Sequence, residues 1–218
     1  MPQTLTFTND PKFSDLTVVC ESESFHVHRI IVYGQSEYFD GCFSEEATKE
    51  HGGTIELFLN RKQVQAMLQY MYSGVVSGSI TCEEDFNETV EEYHAAGIYD
   101  VLSWKDKLET KIRDYFRHAS TADEFLQRTK LAYSNTHGDF DYLVRKWAAE
   151  VCVPRLQELL SFESTRDALR GLIGEFYDFW DDLVDAIRDG AHYYILPTGV
   201  DKGVYGGKGP TGVEVYTG

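Results

Sequence analysis

The residues in this sequence that most invite a chemical reading are three aspartates, Asp181, Asp182 and Asp185, in the order Asp-Asp-x-x-Asp. On a helix, carboxylates at i and i+4 share a face, and such a face can hold magnesium and a diphosphate, as in prenyl-chain chemistry. That chemistry needs a chain helical from its outset and a second acidic cluster across a cavity. This chain opens with strand-like segments, so the acids read better as a solvated helix face. Tyr142-x-x-x-Lys146 has the spacing of a dehydrogenase pair, yet no Gly-rich turn follows an early strand to cradle a nucleotide. Gly206-Gly207-Lys208-Gly209 offers no Ser or Thr for magnesium, and its upstream glycine is wrongly spaced for a phosphate loop. His26 and His28 fall on one face of a strand with no third metal ligand nearby in sequence. Cys20, Cys42, Cys82 and Cys152 show no Cys-x-x-Cys spacing and are expected to be buried, reduced thiols. No nucleophile elbow and no His-Glu-x-x-His pair occurs. The expectation is therefore a protein with no catalytic residues, no cofactor and no metal. A magnesium-dependent prenyl or phosphate enzyme is the rival from another class.

The elements that would carry these residues are bounded by composition. A chain of 218 residues with 42% hydrophobic and 14% aromatic content can bury a core plus a dependent annex. With 36 acidic against 20 basic residues and a net charge of -16, it lacks the basic footprint that nucleic acid or an anionic membrane requires. No apolar run approaches the ~20 residues of a membrane span, and Met1–Asp10 lacks the basic-then-apolar build of a signal peptide. The chain reads as intracellular, cytoplasmic or nuclear.

Leu16–Cys20 and Phe25–His28, separated by a polar stretch, predict a hairpin. Two short helices follow, one around Ile30, Ile31 and Val32, the other N-capped by Ser36 and carrying Tyr38, Phe39, Cys42 and Phe43. Gly52-Gly53 breaks the chain before a strand opening at Thr54 and running toward Leu59. Val64, Met67, Leu68, Met71 and Tyr72 have helical spacing, with Gly74 as the stop. Thr81-x-x-Glu84 predicts a capping box ahead of Phe86, Val90, Tyr93 and Gly97.

From there the pattern is helical throughout. Leu108, Ile112, Tyr115 and Phe116 form one stripe. Thr121-x-x-Glu124 opens another, through Phe125, Leu126, Thr129, Ala132 and Tyr133. Phe140, Leu143, Val144, Trp147, Ala148 and Val151 form a third. A last helix is expected to turn Leu169, Leu172, Ile173, Phe176, Trp180, Leu183, Val184 and Ile187 to the core, with Asp178, Asp181, Asp185 and Asp189 mostly opposed. Beyond Gly190 come Tyr193–Leu196 and a Gly-rich tail. Strands interleaved with helices, then helices alone, argue for α+β followed by an all-helical extension.

Ser14-Asp15-Leu16-Thr17-Val18, Phe25-His26-Val27-His28-Arg29, Ser36-Glu37-Tyr38-Phe39, Ile55-Glu56-Leu57 and Met67–Gly74, taken in that order and at those intervals, resemble the BTB/POZ family. Ala95-Ala96-Gly97-Ile98-Tyr99-Asp100-Val101 extends the likeness into the family's closing helices. The helical remainder is similar to the extension found after BTB domains in many fungal proteins, on the strength of helix count, Ala122–Phe125 and Leu131–Tyr133. The resemblance implies a BTB/POZ domain over residues 1–100, with a short β-sheet flanked by helical hairpins. An extension over 101–192 and the tail over 193–218 complete the chain.

The function the resemblance implies is non-enzymatic protein–protein interaction, with other proteins as partners. Asp15, ahead of a buried strand, and Arg29, after the second, carry charges able to meet as an ion pair at a groove. The alternative is that Asp15 only caps the strand start while Arg29 faces water. The resemblance places the pair in the charged pocket that BTB repressors use, and has His28 hydrogen-bonding at the strand-to-helix junction. It also puts Phe43, Ala47 and Lys49 on the partner-facing side. Cullin-type scaffolds are docked by members bearing a hydrophobic-x-Glu motif. Here Ala47-Thr48-Lys49 stands in its place, with a wrong charge and a poor anchor, which tells against ubiquitin-ligase adaptor activity. The family's dimerising members swap an N-terminal helix and strand, and Met1–Phe13, ahead of Ser14, is expected to be too short for a full helix. Thr4–Thr8 leaves room for a homodimer through one edge strand without favouring it, since Asp10-Pro11 interrupts.

Overall fold

The computed structural model describes residues 9–42, 53–135 and 142–190. Phe43, Ala47 and Lys49, the Thr4–Thr8 segment, Phe140 and Tyr193–Leu196 lie outside them. The chain divides into two compact units, residues 1–115 and 116–218.

In the first unit the hairpin forms as β1 (Leu16–Cys20) and β2 (Glu23–Val27), antiparallel with Val18 opposite Phe25. Alternation sends Leu16, Val18, Cys20, Phe25 and Val27 into the core, all under 5% exposed. β3 (Thr54–Glu56) adds parallel to β1, giving the order β2-β1-β3. It is shorter than the alternating run predicts: the ladder ends with Leu57 N–H donating to Val19 O at 2.8 Å, while Leu57 and Leu59 stay buried. The outer edge of β2 is covered by a side chain. Asn9 Nδ2 donates to Ser24 O (2.9 Å), and Asn9 Oδ1 accepts from His26 N–H (2.7 Å).

Helices α1 (Arg29–Tyr33) and α2 (Glu37–Gly41) follow. Ser36 caps α2 as expected, its Oγ accepting from Phe39 N–H and donating to Tyr99 O. α3 (Arg61–Ser73) starts at a complete Asn60/Gln63 capping box and stops at Gly74, whose φ of 69° is the left-handed conformation glycine adopts without strain. α4 (Glu83–Ile98) departs from the expected box. Its N-cap is Cys82, and Thr81 gives both its N–H and its hydroxyl to Asp85 rather than bonding across to Glu84. Those donors hold the Asp85 carboxyl down at about 2.

Tyr99 closes the layer. Its hydroxyl accepts from Phe58 N–H at 2.9 Å, and its ring meets Tyr38 edge-on, with centroids 4.8 Å apart. α5 (Leu102–Arg117) then brings Trp104 against Tyr70 of α3, nearly parallel at 6.2 Å.

The second unit contains α6 (Ala122–Asn135), α7 (Tyr142–Ser161), α8 (Glu163–Glu175) and α9 (Tyr177–Gly190). The α6 stripe is buried as expected, and Glu124 N–H bonds Thr121 Oγ1, although the Glu124 carboxylate turns back to Ser120 N–H. In α7, Val144, Trp147, Ala148 and Val151 are buried, but Leu143 is 41% exposed. The largest correction concerns the last helix. It is broken at Phe176, which adopts extended backbone (φ -125°, ψ 98°) and separates α8 from α9. The break resets the helical phase, so Phe179, Leu183 and Ala186 face inward, while Trp180, Val184 and Ile187 are exposed. The thiols also divide: Cys20 and Cys152 are buried and Cys42 is half-buried, but Cys82, at the start of α4, is exposed.

Candidate functional site

The two charged residues singled out at the hairpin do meet, through the main chain of each. Arg29 N–H donates to Asp15 Oδ1 at 2.8 Å, which also holds the first turn of α1 against the start of β1. In return, Arg29 Nε donates to Asp15 O at 3.1 Å. The carboxylate is thus spent on a backbone N–H, and the guanidinium is aimed by a carbonyl. A direct carboxylate–guanidinium pair is not needed to set either side chain.

Gly53, at the head of β3, is the third member of the arrangement. Its φ is +79°, and a Cβ there would stand 3.2 Å from Arg29 Nη2 and 3.7 Å from Asp15 O. Its carbonyl accepts from Thr17 N–H at 2.9 Å, so the residue is fixed to β1 while its missing side chain makes room for the guanidinium. Gly53→Ala is expected to cost about 1–2 kcal/mol from the left-handed backbone alone. It should also displace Arg29. A urea midpoint indistinguishable from the parent's would contradict both.

His28 sits at the junction itself. It is not on the strand with His26, since β2 ends at Val27 and His28 is the N-cap of α1. Its N–H donates to the Tyr72 hydroxyl at 3.0 Å, and its Nδ1 lies 2.8 Å from the same oxygen. That oxygen accepts from the backbone and has a proton of its own to offer, so the contact with Nδ1 suits the tautomer that carries its hydrogen on Nε2. Burial pushes the Tyr72 phenol up. Helix α3 is thereby tied to the exit of the hairpin. Tyr72 was legible in sequence only as a member of the α3 stripe, because nothing local marks a contact 44 residues distant.

The acidic triplet does not gather. Asp182 is 8% exposed and accepts from the Tyr133 hydroxyl at 2.7 Å, whereas Asp181 faces solvent. Burial raises the Asp182 carboxyl, and burial followed by the shared hydrogen bond raises the Tyr133 phenol. Among the described residues, no group of three His, Cys, Asp or Glu side chains is placed to hold a metal ion. A groove of about 460 Å³ between α6 and α8 is floored by Leu126, Ala168 and Leu172. It is bridged by Lys130 and Glu175 at 2.6 Å, with Asp123 also on its wall. No described helix is long and apolar enough to cross a membrane.

The BTB/POZ domain family profile matches residues 5–115. A "Longitudinals lacking protein-like" protein of Drosophila melanogaster is 26% identical over 95 residues, covering 44% of this chain and 74% of that protein. Among solved structures, the BTB domain of human Gigaxonin is 19% identical with a TM-score of 0.35, covering 44% of this chain and 75% of its own. The BTB domain of zebrafish PATZ1 is 21% identical with a TM-score of 0.38, covering 47% and 77%.

Proposed function

This chain belongs to the BTB/POZ domain family, and from that premise we propose that it is a non-enzymatic interaction module whose hairpin–α1 face, built on Asp15, His28 and Arg29, contacts partner proteins. The observation that carries the reading is the seating of Arg29. Its guanidinium is oriented by Asp15 O and accommodated by Gly53 before any partner arrives. A cation whose geometry is set in advance loses less rotamer entropy on meeting a carboxylate, and its planar fork favours bidentate pairing. Beside it, Ile30 is 86% exposed and supplies apolar contact area next to the charge. A half-buried cation next to an exposed aliphatic side chain suits an acidic-and-apolar peptide segment or domain face.

The test is quantitative capture from cells by the parent chain and by Arg29→Glu. Partners using this face are expected to fall at least about tenfold with the variant, as for loss of an anchoring charge. Thermal stability should change little. An identical set of captured proteins at unchanged abundance would sink the proposal.

Cullin-type adaptor activity is the finer partner class raised by the family. Ala47-Thr48-Lys49, outside the described residues, carries a lysine where an acid is wanted. Titration of a purified cullin at micromolar concentration separates the two readings. Light scattering of the parent chain tests the homodimer. An intracellular location, cytoplasmic or nuclear, belongs to the same proposal and is checked by imaging the tagged chain.

A further inference from the structure

Helix α9 carries two apolar stripes, and the second unit uses one of them. Phe179, Leu183 and Ala186 are buried, the ring of Phe179 meeting Tyr133 edge-on at 5.1 Å. Tyr177, Trp180, Val184 and Ile187 recur at 3-4-3 spacing on the adjoining face and are 74, 46, 40 and 43% exposed. That spacing is the a/d seam of two heptads, the pattern by which one helix receives another. Four large apolar side chains aligned on one helix make a continuous patch rather than scattered surface residues.

The open flank of the stripe is acidic. At about 100° per residue, Arg188 comes first past Tyr177 on the wheel, then Asp181 and Asp185, with Asp189 beyond them. The cation nearest the stripe, Arg188, is engaged with Asp185 at 3.0 Å and Asp189 at 3.2 Å.

We propose that this stripe is a docking seam for a basic amphipathic helix of another protein, whose apolar side chains at heptad spacing fill the seam while flanking Lys or Arg meet Asp181 and Asp185. A second copy of this chain fits poorly, because it would bring the same acidic flank against itself in a molecule of net charge -16. The seam lies wholly within the second unit and does not rest on the reading of the Arg29 face.

The chain carries its own reporter. Of its three tryptophans, Trp104 and Trp147 are 1% and 2% exposed, so Trp180 alone can change from wet to dry on docking. The full chain is titrated with a synthetic helix of about four heptads, Leu at a and d and Lys at e and g. A saturable blue shift that weakens with added salt is expected, and none with the matched peptide bearing Glu in place of Lys. Val184→Asp with Ile187→Asp leaves the reporter intact and should weaken the Lys peptide at least about tenfold. Asp181→Lys with Asp185→Lys, both on the surface, should exchange the preference to the Glu peptide. No shift with the Lys peptide, equal affinity for both peptides, or unchanged binding by either variant would overturn the proposal. So would a blue shift on raising protein concentration alone with doubled mass in light scattering, which would give the seam to a second copy.

Discussion

Replacing Trp104 with alanine is expected to cost about 3–5 kcal/mol, the range for removing a fully buried large aromatic side chain. Trp104 is 1% exposed and stacks on Tyr70 of α3, which is itself 4% exposed, so the vacated volume is walled by helices that cannot readily collapse into it. Against a domain stability of about 5–15 kcal/mol, that loss leaves the first unit marginal. Urea unfolding followed by circular dichroism measures it. Leu102→Ala, on the same helix but 56% exposed, is the control and should stay within about 0.5 kcal/mol of the parent. A cost under about 1 kcal/mol for Trp104 would mean that α5 packs loosely on the layer. The predicted value would make α5 part of what holds α3 in place, and with it Tyr72 beneath His28.

Tyr133→Phe is expected to destabilise the second unit by about 1–3 kcal/mol at neutral pH, and by less in acid. The hydroxyl is a donor to the buried Asp182 carboxylate, and phenylalanine leaves that carboxylate without it. Burial raises the Asp182 carboxyl above its ordinary value, so between that value and the folded one the native chain keeps a proton that the unfolded chain has released. The unfolded state then binds fewer protons, and stability falls as pH rises through the window. Removing the donor raises the folded value further and extends the fall to higher pH. The difference between parent and variant should therefore widen as pH rises above about 4, the ordinary aspartate value. Adding Asp182→Leu to Tyr133→Phe should recover part of the loss, because an apolar pair avoids the buried charge. A penalty independent of pH would show that Asp182 is not the group responsible.

Much of the first unit was legible in the sequence because its signals are local. Alternation fixes β1 and β2 through contacts two residues apart, Ser36 and Gly74 act on their own turns, and the α3 stripe spans three turns of one helix. The site was legible in part. Asp15, His28 and Arg29 flank the hairpin, but each bond that joins Asp15 to Arg29 has a backbone atom at one end, to which side-chain types give no clue. Gly53 was read as a chain break, and its role in seating the guanidinium depends on a neighbour 24 positions earlier.

The misreading of α9 has a different cause. A stripe continued across Phe176 keeps its period only if the helix continues, and one extended residue rotates everything after it. Trp180 and Val184 were apolar enough to pass for core, and Asp182 polar enough to pass for surface. The Thr81 motif failed for a smaller reason: the helix begins one residue later, so the acid in reach is Asp85.

The Asn9 amide at the rim of β2 bears on which substitutions the sheet tolerates. One planar group offers a hydrogen and a lone pair side by side, as a neighbouring peptide unit would, and so satisfies Ser24 and His26 together. Aspartate has the same shape but would set an oxygen against the Ser24 carbonyl, and leucine would answer neither atom. Position 9 therefore favours a side chain with both polarities, which meets the β2 edge at Ser24 and His26 as a paired strand would.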